Sequence, residues 1–310
     1  MHALAAAVAA QGRWMLVAGL VVGLASPAAA QMVRPHVGVL VIAVLFLAIL
    51  RIGPAGLRPG RAALVRALTA ALLFQLLLPM AVAASFMAAG LLADPLALAV
   101  VLILAAAPIT GAAPIVAMTG GNPGPALHQT VIGTALLPLT VLPVFALAPA
   151  FGDAGAVLGT ASRLLAVVGL AGGAAFVLRR TGIVPGTARA LTVVDALSAV
   201  LLGLVVIGLM SAAAAALREA PAMLAATLAL VSALCFGLQG ATARLWPHAP
   251  DAAPFAVTTG NRNVALFLGV LPAALTDDLM LAIGCYQIPM YLTPLVLPRL
   301  LAWRARAGRC

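Results

Sequence analysis

The feature that most constrains this chain is the recurrence of apolar stretches long enough to cross a bilayer. Spanning the hydrocarbon core by helix takes roughly 17–25 predominantly apolar residues. Stretches of that kind recur at 14–30, 36–50, 67–90, 96–118, 126–148, 157–178, 191–211, 222–242, 255–275 and 279–300, joined by short connections. Only helices and closed barrels satisfy their backbone polar groups inside lipid. Stretches of this length and hydropathy predict an all-α polytopic protein of ten transmembrane helices.

Composition agrees. Charged residues make up 8% of the 310 residues, against 65% hydrophobic, whereas soluble domains carry about 25% charged residues. The net charge of +10 comes from 17 basic residues, every one an arginine. They cluster at span ends, as membrane topology requires and nucleic-acid binding does not.

With the N-terminus inside and ten alternating crossings, the inner side receives Arg13, Arg51, Arg58, Arg61, Arg66, Arg179, Arg180, Arg189, Arg244, Arg299, Arg304, Arg306 and Arg309. The outer side receives Arg34, Arg163 and Arg218. This asymmetry predicts an integral protein of a bacterial inner membrane with both termini cytoplasmic. The run ending in SPAAAQ also has the form of a secretory signal with an A-x-A cleavage site. Cleavage there would leave nine spans.

Ten spans divide into two sets of five, residues 1–150 and 151–310. An odd number per set places the two sets upside down relative to one another, and such inverted repeats are a transporter signature. The fourth span of each set is the most interrupted. In the first set it reads AAAPITGAAPIVAMTGGN, with Pro108, Thr110, Gly111 and Pro114 close together. In the second it carries TTGNRN: Thr258, Thr259, Gly260, Asn261, Arg262 and Asn263. Proline removes a backbone donor and crowds the preceding turn, and hydroxyl and amide side chains compete for backbone hydrogen bonds. Both segments are therefore expected to be broken helices. Matching breaks in inverted halves are the sequence signature of a transport site. Arg262 strengthens that expectation, because an arginine at mid-membrane costs roughly 2.5–3.5 kcal/mol on insertion scales.

The stretches VVGLASP, LLFQLLLPMAVAA, AAAPITGAAPIVAMTGGN and TTGNRNVAL together resemble the bile acid:sodium symporter superfamily over nearly the whole chain. The resemblance implies inverted five-helix repeats with discontinuous fourth and ninth helices that cross. It implies a core of spans 3–5 and 8–10, and a panel of spans 1, 2, 6 and 7. It also favours a retained first span over a cleaved signal.

The departures from the family pattern are specific. Its E-x-G-x-Q-N motif places the glutamate, a sodium ligand, on Thr258 and the glutamine on Arg262, while Gly260 and Asn263 are kept. The Ser-Asn pair of the fourth span is absent. Near the third-span glutamine of the family stand Phe74 and Gln75. A sodium ion within ~5 Å of a guanidinium would be repelled by about 3 kcal/mol at an effective dielectric near 20. Sodium is therefore not expected as a partner. Arg262 is expected to act as a tethered replacement for the coupling cation and to attract an anionic substrate.

Secondary candidates to line a cavity are His128, Gln129 and Thr130, with Thr134 one turn on, at the start of the fifth span. There Thr130 matches hydroxyl ligands of the family, and His128 is suited to proton coupling or to a polar helix start. Asp195 is the one carboxylate within a span, either functional or paired near the inner surface. Gln239 and Gln287 read as interhelical hydrogen-bond partners. Cys235, Cys285 and Cys310 read as small packers or a tail thiol, with no metal site, cofactor or disulfide framework. No catalytic constellation is present, so no enzyme is expected.

The expected function is secondary transport of a small or amphipathic organic anion. The alternatives are a sodium- or proton-coupled symporter of the family, a metalloid or anion efflux permease, and a non-transporting sensor or scaffold. Permeases of the arsenite type use a cysteine in the fourth span, and residues 96–118 contain none. Substrate, direction and oligomeric state are left open.

Overall fold

In the computed structural model, which describes residues 2–56, 59–245 and 249–307, the chain is helical apart from turns and one isolated β-bridge. Arg58, Arg309 and Cys310 lie outside the described residues, as do the side chains of Arg13, Arg304 and Arg306. Among the described residues seven helices are long and apolar enough to cross a membrane: Pro27–Pro54, Arg61–Ala88, Pro123–Leu147, Ala154–Arg180, Ala188–Glu219, Pro221–Leu245 and Ala273–Leu301. An eighth candidate is the pair Leu4–Ala10 and Trp14–Ala25, bent by 73°. This is a helical membrane protein.

The first two expected spans are divided differently from their hydropathy. The stretch 14–30 is cut at Ser26, whose extended backbone ends one helix while its Oγ accepts from Ala29 N–H at 3.4 Å to start the next. Pro27 occupies the first turn, where its missing N–H costs nothing. Residues 27–30 therefore belong to the following helix, and the short second stretch, 36–50, becomes part of a 28-residue one.

The chain forms two compact units, each drawn from both halves of the sequence. One comprises Met1–Arg58, Gly155–Leu224 and Ala265–Gly284. At its centre the helix Ala188–Leu209 packs against Gly12–Ala25 and Val37–Gly56. In lipid such packing relies on close backbone approach rather than on the hydrophobic effect. Gly19 faces Gly203, and a Cβ on Gly19 would stand 2.6 Å from the Gly203 carbonyl oxygen. On the surface of this unit Asp195 accepts from Arg51 Nε at 2.7 Å, with both side chains substantially exposed. This is the paired alternative for Asp195, with Arg51 as its partner.

The other unit comprises Pro59–Ala154, Ala225–Val264 and Cys285–Cys310. Its centre is the helix Pro123–Thr140, against which Arg61–Ala70, Ala112–Met118 and Ala249–Gly260 pack. Both breaks, at 106–111 and 261–263, lie in this unit. The first runs as helix Pro95–Ala105, an extended stretch, and helix Ala112–Met118. The second runs as helix Ala249–Gly260, an extended stretch, and the 3-10 turns Val264–Gly269, of which all but Val264 belong to the first unit.

Gly19→Leu is expected to lower the melting temperature of the purified protein. The cause is backbone overpacking, which costs about 1–3 kcal/mol. Gly159→Leu, at a position with open space around its Cβ, should change the melting temperature little.

Candidate functional site: the bridged helix breaks

Each break exists because its sequence cannot continue a helix, and each leaves backbone groups without helical partners. The helix Pro95–Ala105 stops at Ala106, whose ψ of 152° turns the chain extended. Pro108 follows two residues later and cannot donate. The helix Ala249–Gly260 stops before Asn261. The two extended stretches solve the problem jointly, with Pro108 opposite Arg262 in an antiparallel bridge. Ile109 N–H donates to the Asn261 carbonyl at 2.9 Å, and Asn263 N–H donates to the Ala107 carbonyl at 2.8 Å. Pro108 and Arg262 thus form the pair that does not exchange hydrogen bonds. That register is the one in which proline loses nothing, since its absent N–H is not called upon.

The Arg262 backbone N–H points away from Pro108 and donates to the Tyr286 hydroxyl at 3.1 Å. The same hydroxyl donates to the Gly260 carbonyl, the last of its helix, at 2.5 Å. One phenol therefore satisfies a donor and an acceptor that the break sets loose. Tyr286 is fully buried, as this double role requires.

The Arg262 side chain is 2% exposed. Its Nη2 donates to the Phe74 carbonyl. The reason lies in the third expected span, where Ala71–Leu77 winds as a π-helix and the Leu78 N–H reaches the Leu73 carbonyl. In that i→i+5 pattern the donor due to the Phe74 carbonyl is residue 79, which is proline. The guanidinium donates to that carbonyl from outside the helix. Arg262 also lies just beyond the C-terminal end of Ala249–Gly260, where the helix dipole favours positive charge. Among the described residues Arg262 has no ion-pair partner, and its Nε is buried without a hydrogen-bond acceptor.

Around the guanidinium is a small cavity lined by Ala71, Gln75, Pro108, Gln129, Gly133 and Thr258, among others. It leaves about 10 Å³ for the centre of a water-sized sphere, which is room for a single water. Gln75 donates to the Gly133 carbonyl at 2.9 Å and to Thr140 Oγ1 at 2.8 Å. Its own Oε1 is buried with no partner. Thr258 Oγ1 donates to Gln129 Oε1, and Thr130 Oγ1 donates to the Ile109 carbonyl at 3.3 Å, tying the fifth expected span to the first break.

On the opposite side of the second break lies a separate polar cluster. Asn261 Oδ1 accepts from Gln239 Nε2 at 3.1 Å, Thr293 Oγ1 at 3.0 Å and Cys235 Sγ at 3.4 Å. Thr259, which also lines the small cavity, bonds through Oγ1 to Thr242 Oγ1 at 2.8 Å. Gly260 sits against this cluster so closely that a Cβ would overlap Gln239 Cγ and approach the Cys235 carbonyl oxygen to 2.6 Å.

The structure therefore brings together Gln75, Pro108, Thr130, Thr258, Thr259, Gly260, Asn261, Arg262 and Asn263. Thr110 and Gly111 form the turn after the bridge, and Pro114 is exposed on the short helix that follows. His128 is partly buried near the start of Pro123–Thr140 and does not line the cavity. Cys235 is buried as a small packer and also donates to Asn261. Gln129 lines the cavity as expected, whereas the Phe74 carbonyl, Thr242, Tyr286 and Thr293 escaped sequence reasoning. The one available signal was Tyr286, one of only two tyrosines in the chain. The chain matches no protein-family model and no curated protein.

Gly260→Ala is expected to destabilise the protein by about 1–3 kcal/mol through overpacking against Gln239 and Cys235. Gly111→Ala, at a turn with open space, should stay within about 0.5 kcal/mol of the parent. Reversible unfolding in detergent measures both.

Proposed function

We propose that this chain is a secondary transporter of a small or amphipathic organic anion, with the bile acid:sodium symporter-like fold, and that it operates without sodium. The observation that carries the reading is Arg262 itself. It is a buried cation at the meeting of two broken helices, held by a backbone carbonyl and partnered by no carboxylate among the described residues. In the proposed fold the seven long helices, the bent N-terminal pair and the two broken segments make ten crossings. The two halves, 1–150 and 151–310, are then inverted repeats. The unit that contains both breaks is the transport core.

Arg262 stands where relatives of that fold place a ligand of the coupling ion. Its fixed charge serves the backbone carbonyl at Phe74 and supplies the attraction for a substrate anion. The cavity of about 10 Å³ is too small for such a substrate, so the structure corresponds to a closed state of the site under this reading. The partners are the substrate and the lipid bilayer, with no catalytic step and no cofactor.

The test is flux in proteoliposomes loaded with mixed small organic carboxylates and sulfonates. Counterflow should be unchanged within about twofold when sodium is replaced by potassium. Arg262→Gln should lower flux at least tenfold, a loss of about 1.4 kcal/mol or more, while the protein stays monodisperse. Flux driven steeply by a sodium gradient would refute the sodium-independent mechanism. Undiminished flux in Arg262→Gln would remove Arg262 from the mechanism.

Topology has its own check. Reporter fusions at both termini should report a cytoplasmic location in a bacterial host, because ten crossings return the chain to the side on which it began. Opposite locations would overturn the ten-span count.

A further inference from the structure

A second cavity lies wholly within the unit formed by residues 1–58, 155–224 and 265–284. It offers about 530 Å³, within the roughly 300–1,000 Å³ typical of small-molecule sites. Its lining is divided between polar and apolar surface, the apolar part coming from Val37 and Ile42 of one helix and from Leu268, Leu271 and Met280. Its floor is closed by direct backbone packing, since a Cβ on Gly38 would stand 2.9 Å from the Leu268 carbonyl oxygen.

The polar groups gather at one place. Arg34 Nη2 pairs with Asp277 Oδ1, and both residues line the cavity. The Arg34 side chain is 27% exposed and that of Asp277 60% exposed. The acid is thus the more solvated partner, and it leaves for water more readily than the guanidinium does. An ion pair so exposed contributes little to stability and exchanges partners at little cost. Beside it, Thr276 lines the cavity with an Oγ1 that is buried and has no hydrogen-bond partner. An open cleft of this size, with an apolar wall on one part and a guanidinium and an unsatisfied hydroxyl on another, is complementary to a molecule with one anionic end and an apolar body.

We propose that this cavity is a binding site for an amphipathic organic anion. The anionic group takes the Arg34 guanidinium and the Thr276 hydroxyl as Asp277 turns to solvent, and the apolar body lies against Val37, Ile42, Leu268, Leu271 and Met280. The site is separate from Arg262 and does not depend on transport. Two sources carry this chemistry, a free fatty-acid-like carboxylate and an anionic lipid.

The experiment measures binding of radiolabelled decanoate to the full chain in phosphatidylcholine nanodiscs, with decanol as the uncharged competitor. The parent should bind decanoate saturably, and decanol should compete poorly. Arg34→Gln should weaken decanoate binding at least tenfold, and Asp277→Asn should tighten it severalfold by removing the competing carboxylate. Opposite signs are the signature of the site. A purely architectural ion pair would make both variants lose binding together, which would overturn the proposal, as would an absence of saturable binding in the parent. Should Arg34→Gln fail to fold, the sign of the Asp277→Asn effect decides alone: tightening supports the site and weakening refutes it. Nanodiscs containing phosphatidylglycerol distinguish the sources. If that lipid displaces decanoate, and displaces it better in Asp277→Asn, the occupant is lipid. If decanoate binding is unaffected, the occupant is the free anion.

Discussion

The candidate site depends on one antiparallel bridge of two hydrogen bonds, between residues 107–109 and 261–263. A helix broken inside a membrane exposes donors and acceptors that lipid cannot satisfy, each at a cost of several kcal/mol. A single break would have to find side chains for all of them. Two breaks placed against each other exchange their main-chain groups, and what remains is small enough for a few side chains to complete. Tyr286 takes the Gly260 carbonyl and the Arg262 N–H, and Thr130 takes the Ile109 carbonyl. Proline is compatible with this arrangement only at a non-exchanging position of the bridge, and Pro108 is at one.

The arginine follows from the same accounting carried one helix further. In the π-helical winding of Ala71–Leu77 the residue due to the Phe74 carbonyl is Pro79, which carries no N–H. A guanidinium reaches that carbonyl from the bridge. A buried cation with one backbone acceptor and no counter-anion is poor economy for stability alone. Its Nε, and the Oε1 of Gln75 on the same small cavity, are both buried without partners. Polar groups left in that condition in a folded protein are where function is to be sought. The helix-end dipole beside Arg262 lowers the cost of the charge without removing it.

Much of this was legible in the sequence, and what was not has physical reasons. Pro108, Gly260 and Arg262 announce the breaks because each violates a rule that apolar helices otherwise obey. Local rules of that kind can be read without coordinates. The Phe74 carbonyl could not be read, because a backbone acceptor has no letter in the sequence, and the winding that aims it depends on Pro79 five residues away. Thr293 is an ordinary polar residue in a long helix, and only the fold shows that it faces the second break. The boundary at Ser26 was missed for the opposite reason. Hydropathy runs through it, while a serine cap and the following proline restart the helix. Pro114 looked equivalent to Pro108 by composition, yet it falls within the first turn of a helix, where proline is tolerated and marks no break.

The bridge also explains why two polar clusters can sit so close without merging. Along an extended backbone successive side chains point to opposite sides. Asn261 therefore faces Gln239, Thr293 and Cys235, while Arg262 faces the third and fifth expected spans. The first cluster is made of neutral hydrogen-bonding groups converging on one amide oxygen, and it fixes the strand in place. The second holds the charge and the small cavity, and each cluster keeps buried polar atoms without partners, Gln239 Oε1 and Asn261 Nδ2 in the first and Gln75 Oε1 and Arg262 Nε in the second. A slip of one residue in the bridge would exchange the two environments, putting the guanidinium among neutral amides and hydroxyls and the amide against the Phe74 carbonyl. Gly260 guards against that slip, because only a residue without a Cβ fits against Gln239 and Cys235. The neutral cluster sets the register, and the register is what delivers the cation to its carbonyl.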